Sequence, residues 1–160
     1  MTGTLAIQYC TFEVDDRLFG LDVDCVQEVL RAQDITRVPL APPSVAGLMN
    51  LRGQIVLVLD LRTQLGLTPR DHEADCANVV LRTDEGPVSL LVDRIEGVVR
   101  PDPDCFEPTP EITDPTIRSF LVGIGKLDGR LLHVLDPKQA IEIATNPNEP
   151  IITGPREDPS

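Results

Sequence analysis

Tryptophan is absent and aromatic residues make up only 3% of the 160-residue chain, so there is little material for stacking nucleic-acid bases. Cations are scarce too: 14 Lys and Arg stand against 26 Asp and Glu, a formal charge of −12. An acidic surface repels phosphate backbones instead of releasing their counterions, which argues against nucleic acid and anionic membrane as partners. Long apolar runs are missing as well. Ile55 to Leu59 falls far short of the roughly 20 residues needed to cross a bilayer, and Met1 to Cys10 has neither a basic n-region nor an apolar h-region. A cytoplasmic location without direct membrane insertion is expected. Cys10, Cys25, Cys76 and Cys105 form no C-x-x-C pair and have no nearby His to complete a zinc site. They read as small buried or half-buried thiols, with no metal.

What is present is a globular composition, 41% hydrophobic and 25% charged, long enough for one domain or two very small ones sharing a core. Leu5 to Val14 is apolar on both faces, as in a strand inside a closed barrel, and Leu18 to Leu21 reads as its return strand after a turn at Asp15-Asp16-Arg17. Val23, Val26, Val29 and Leu30 recur at spacings of three and four, which predicts a turn or two of helix. Ser44 is placed to cap a brief turn before Gly47. Leu48 to Leu51 and Gln54 to Leu59 pair around Arg52 and Gly53, and Asp60 caps a short helix, Leu61 to Leu65, closed by Gly66. Thr68 to Asp75 is a polar surface connection.

A second strand group follows. Asn78 to Thr83 and Pro87 to Val92 flank an Asp84-Glu85-Gly86 turn, and Phe120 to Leu127 and Arg130 to Leu135 flank Asp128-Gly129, a strong hairpin signal. Asp136 caps and Pro137 opens a last helix to about Ala144, before a proline-rich, aperiodic tail from Asn146 to Ser160.

The two groups repeat each other. LDVDCVQEVLR at Leu21 to Arg31 overlays LLVDRIEGVVR at Leu90 to Arg100. Val45 to Leu65 overlays Leu121 to Ile141, placing Gly47 on Gly123, Gly53 on Gly129 and Asp60 on Asp136. Each copy has about five short strands, a tight turn and one short helix, which predicts two small closed barrels with a seam between them.

Matching aspartates in a pseudo-symmetric all-β chain raise the possibility of a carboxylate dyad. However, Asp60 precedes Leu-Arg and Asp136 precedes Pro-Lys, both ahead of helical runs, so each reads as an N-cap. His133 takes the strand position that Leu57 has in the first copy and reads as a hydrogen-bonded, partly buried histidine, while His72 sits in the charged connection. Nucleophile–base pairs, phosphate loops and calcium or magnesium spacings are all missing, so no catalytic residue, metal or cofactor is expected. What remains is surface. Arg52 projects from a turn where its guanidinium suits a partner carboxylate, Val26 and Glu28 flank the predicted helix, and Arg62 lies on the next one. Exposed Val and Leu beside a barrel seam suit a groove for an amphipathic helix.

F-x-V-x-x-x-x-F-G-L-D-V at Phe12 to Val23, V-x-E-V at Val26 to Val29, Val38-Pro39, G-L-M-N-L-R-G at Gly47 to Gly53 and D-L-R at Asp60 to Arg62 together resemble the CheW family of chemotaxis coupling proteins. L-V-D-R-I-E-G-V at Leu91 to Val98 and F-L-V-G-I-G at Phe120 to Gly125 look like the family's second barrel, and the resemblance runs over residues 5 to 144. Leu57 stands where the family often has a proline.

The resemblance implies an all-β fold of two SH3-like five-stranded barrels side by side with short connecting helices. The CheW-like domain would span 1–145, with a first barrel mainly over 12–66, a second mainly over 76–144, strand exchange between them, and a tail over 146–160. It also implies a non-catalytic adaptor that joins the cytoplasmic tip of chemoreceptors to the regulatory domain of the histidine kinase CheA. Val26, Glu28 and Arg52 match family positions implicated in partner contact, and Arg62 is grouped with them as a candidate; Gly47, Gly53, Asp60, Gly129 and Asp136 shape turns and caps. The alternatives are a CheW-like scaffold of a parallel kinase-controlled pathway such as twitching motility, and a small double-barrel hydrolase using His133 and an Asp.

Overall fold

The computed structural model describes residues 7–68, 76–107 and 114–143. His72, the tail over 146–160 and most of the Thr68 to Asp75 connection lie outside these residues. The first strands are β1 (Tyr9–Val14) and β2 (Arg17–Asp22), joined through Asp15 and Asp16, both at positive φ, as a two-residue hairpin turn requires. Next come β3 (Val26–Arg31), β4 (Val45–Leu51) and β5 (Gln54–Asp60), then α1 (Leu61–Gln64). β6 (Ala77–Leu81), β7 (Val88–Val92), β8 (Arg94–Val99) and β9 (Phe106–Glu107) follow. The chain continues through α2 (Pro115–Arg118), β10 (Leu121–Leu127), β11 (Arg130–Leu135) and α3 (Pro137–Ala140).

The helix expected from Val23 is replaced by a single 3-10 turn, Val23–Cys25, and then a strand. Along β3 the half-buried Val26, Glu28 and Leu30 alternate with exposed Gln27, Val29 and Arg31. That period of two decides the outcome once β6 is available to pair. The brief turn expected at Ser44 is likewise followed at once by β4, whose pairing with β5 shifts register between Val45 and Gly47. Strand β8, the two-residue β9 and helix α2 add to the elements expected from the sequence.

The class is all-β, in two sheets. A six-stranded sheet runs β8-β1-β2-β11-β10-β9 and a five-stranded sheet runs β3-β6-β7-β5-β4. Each contains one parallel pair, β2 with β11 and β5 with β7, the structural echo of the sequence repeat. Residue blocks 12–66 and 76–144 are not sheet boundaries: β1 and β2 pair with strands of the C-terminal half, and β3 to β7 make up the other sheet.

The expected closed barrels are also corrected. Among the described residues neither sheet closes through a ladder; in the five-stranded sheet a single bridge, Thr36 to Leu48, links the segment after β3 to edge strand β4. Among the described residues three apolar clusters result. Met49, Val56, Val58 and Val80 pack in one cluster within the five-stranded sheet, and Tyr9, Leu18, Leu132 and Val134 in another within the six-stranded one. The largest cluster joins the sheets, with Phe12, Phe19 and Leu21 against Leu59, Val79 and Leu90. Each such fully buried side chain stabilises by about 1.5–3 kcal/mol, so this seam is a strong part of the fold.

Candidate partner-binding site

Glu28 projects from edge strand β3, and Arg52 sits at positive φ (53°) in the β4–β5 turn, at the opposite edge of the same sheet. They meet. Arg52 Nη1 and Nη2 donate to the two carboxylate oxygens of Glu28, each at 2.6 Å. The fork matches the carboxylate, and Arg52 keeps 69% of its side chain exposed. The hydrogen bonds from Arg52 hold the Glu28 carboxyl below its usual range, and Glu28 in turn raises Arg52. Val26 is half-buried against the inter-sheet core, so of these three sequence-predicted residues it offers least to a partner.

Further along β3 a groove of about 700 Å³ opens between the two sheets. Val29, Leu30 and Arg31 line one side, Arg94 and Ile95 of β8 another, and Cys76 contributes to the lining. Val29 is 41% exposed although apolar. An apolar floor with Arg31 at its margin suits an amphipathic segment, while Arg94 on the other wall is already engaged by Glu13 at 2.7 Å and Glu96 at 3.3 Å.

Arg62 is turned inward, with 17% of its side chain exposed. Its Nε and Nη2 donate to Asp93 Oδ1 and Oδ2 at 3.1 and 2.8 Å, and its Nη1 donates to the Thr68 carbonyl at 2.9 Å. The hydrogen bonds to Asp93 push Arg62 above its ordinary value despite partial burial. Asp93 is not among the residues that the sequence singles out. One signal pointed to it: the repeat overlays Asp93 on Asp24, and both residues lie where the chain passes between sheets.

The turn and cap residues stand where the sequence places them. Asp60 and Asp136 accept the N–H of Arg62 and Lys138, each at 3.0 Å, as N-caps of α1 and α3. Gly53 and Gly129 hold positive φ in their hairpin turns, and Gly47 (φ 151°) backs directly onto Ile35 and Thr36. His133 Nδ1–H donates to the Leu18 carbonyl at 2.8 Å beside the Phe19 ring, and burial lowers its pKa. Among the described residues no three His, Cys, Asp or Glu side chains gather as a metal would need. No described helix is long and apolar enough to cross a membrane.

Comparison with known proteins places this geometry. The CheW-like domain family matches residues 8–144. The chain is 36% identical over 135 residues to the chemotaxis protein CheW of Thermotoga maritima, covering 84% of this chain and 87% of that one. It is 30% identical over 125 residues to a probable chemotaxis protein CheW of Rhizobium etli, covering 78% and 81%. The crystal structure of the scaffolding protein TtCheW from Thermoanaerobacter tengcongensis superposes with a TM-score of 0.76 at 29% identity, over 88% of this chain and 91% of that one. With the match spanning both sheets, the chain belongs to the CheW-like family of chemotaxis scaffold proteins.

Proposed function

We propose that this protein is a non-catalytic adaptor that couples the cytoplasmic tip of chemoreceptors to the regulatory domain of the histidine kinase CheA. The observation that carries this reading is the groove between the sheets, lined on one side by Val29 to Arg31 of β3, the strand that also carries Glu28 of the Glu28–Arg52 pair. Glu28 and Arg52 form a charged contact surface, and Val26 supports β3 from behind. The protein works in the cytoplasm and reaches membrane receptor arrays through protein contacts alone. Its mechanism is effective concentration plus population shift: an adaptor holding kinase and receptor together biases assemblies toward kinase-on or kinase-off according to which state it binds better. Residues 1–145 are the working unit, and 146–160 are dispensable for binding.

Titration calorimetry against a CheA regulatory domain, repeated with a receptor-tip helix fragment, tests the reading. Saturable binding to either supports it, and a chain truncated after Ala144 binds equally well. Folded protein that binds neither removes the function proposed.

A further inference from the structure

The chain passes between the sheets at Val23–Cys25, after β2, and at Asp93, between β7 and β8. Each crossing is held by an arginine from another element. Arg82 Nη1 donates to the carbonyls of Asp24 and Val26, both at 2.9 Å. Arg62, on α1, grips the Asp93 carboxylate with two N–H groups. Asp93 Oδ2 also accepts the Asp15 N–H at 2.8 Å, and the Asp93 N–H donates to the Glu13 carbonyl at 3.0 Å. Asp93 thereby ties α1 of the five-stranded sheet to the β1–β2 hairpin of the six-stranded one. The next two residues, Arg94 and Ile95, are a wall of the inter-sheet groove.

We propose that Arg62 is a positioning residue for that groove: through Asp93 it fixes where β8 starts, and so the separation between β8 and β3. The assignment builds on the reading of the groove as a partner site. A guanidinium that is mostly covered and already engaged in a fork with Asp93 and a bond to Thr68 has no free face for a partner. Its geometry also demands arginine. A lysine ammonium keeps the charge but is a point donor that cannot set two parallel bonds, so it holds the carboxylate without fixing its orientation. Arg62 therefore serves partner binding from behind the surface, unlike Arg52.

Two native thiols provide the readout. Cys76 lines the groove, Cys10 lies in β1, and both are 5% exposed. Alkylation rates of each thiol, resolved by mass spectrometry, are compared in wild type, Arg62→Gln, Arg62→Lys and Asp93→Asn, alongside calorimetric affinity for the CheA regulatory domain. The expected result is that Cys76 reacts on the order of tenfold faster relative to Cys10 in every variant, as for a local opening. Affinity falls to a similar degree in each, and Arg62→Gln combined with Asp93→Asn is no worse than either alone. The exchanged pair, Arg62→Asp with Asp93→Arg, recovers part of both.

Parallel acceleration of Cys76 and Cys10 would show a general loss of stability and overturn the assignment. So would a Cys76 rate that stays at wild type, or full retention of rate and affinity by Arg62→Lys. Should Arg62→Gln fail to fold, Arg62→Lys carries the same comparison. Wild type that binds neither the kinase domain nor the receptor-tip fragment removes the adaptor reading, while the Cys76 to Cys10 ratio still decides the groove assignment.

Discussion

Arg52 and Glu28 belong to opposite edges of one five-stranded sheet, yet their side chains form a bidentate pair with both N···O distances at 2.6 Å. The Thr36–Leu48 bridge draws the same edges together in the backbone. The sheet is therefore curled by one bridge inside and one ion pair outside, and the outer one is open to competition from a partner carboxylate.

Reversing one charge of that pair tests it. Arg52→Glu places two carboxylates side by side and is expected to weaken partner binding about tenfold or more, as loss of a charge-assisted contact does. Melting should change little, because exposed ion pairs contribute little to stability. Exchanging both residues, Glu28→Arg with Arg52→Glu, restores the internal pair. Calorimetry that finds binding still weak in the exchanged protein assigns the effect to the partner, and full recovery assigns it to the shape of the sheet.

Two glycines of the same hairpin should differ sharply. A Cβ on Gly47 would lie 2.7 Å from Ile35 Cγ2 and meet the Thr36 carbonyl, whereas a Cβ on Gly53 meets nothing within 4 Å. Gly53→Ala then costs only the left-handed backbone conformation, about 1–2 kcal/mol. Gly47→Ala adds overpacking against backbone, for a total of about 3 kcal/mol or more. Urea denaturation of the two variants gives the comparison, and equal midpoints would refute the packing argument.

His133 gives the fold a pH dependence whose sign follows from its surroundings. Burial lowers its pKa, more than the Leu18 carbonyl raises it, with Arg17 adding to the lowering. The unfolded chain therefore takes up this proton first, near the ordinary value of 6.5. Stability from this site is fully present above that pH and is lost as pH falls toward the lower folded value. Chemical denaturation between neutral and mildly acidic pH should show the decline in wild type and a shallower one in His133→Gln.

Local chemistry was legible in the sequence, and long-range pairing was not. Asp60 and Asp136 cap their helices because the bond reaches only two residues ahead, and Asp128-Gly129 makes its hairpin for the same reason. β3 reads as helix in the sequence because Val23, Val26, Val29 and Leu30 fit a period near 3.6, while the alternation that matters appears only against β6. The mixing of the two halves depends on the parallel β2–β11 pair, where Leu18 and His133 meet 115 residues apart. Arg52 and Glu28 both read as surface candidates in the sequence, but nothing local indicates that they bind each other, or that Arg62 turns toward Asp93.

Leu40 carries the last prediction. It is 99% exposed, stands at φ 65°, and follows Pro39 in a turn closed by a 3.3 Å bond from the Ala41 N–H to the Val38 carbonyl. Proline followed by a left-handed residue is the pattern of a type II turn, whose second central position favours Gly or Asn. A branched aliphatic side chain there costs about 1–2 kcal/mol in backbone conformation, and with its surface in water it recovers none of that through burial. Leu40→Asn keeps the turn, tolerates the left-handed region and removes an exposed apolar group. It should raise stability by about 0.5–1 kcal/mol, since Asn relieves only part of the strain. A urea midpoint that moves upward with an unchanged slope confirms the strain. A midpoint at or below wild type would refute the strain argument.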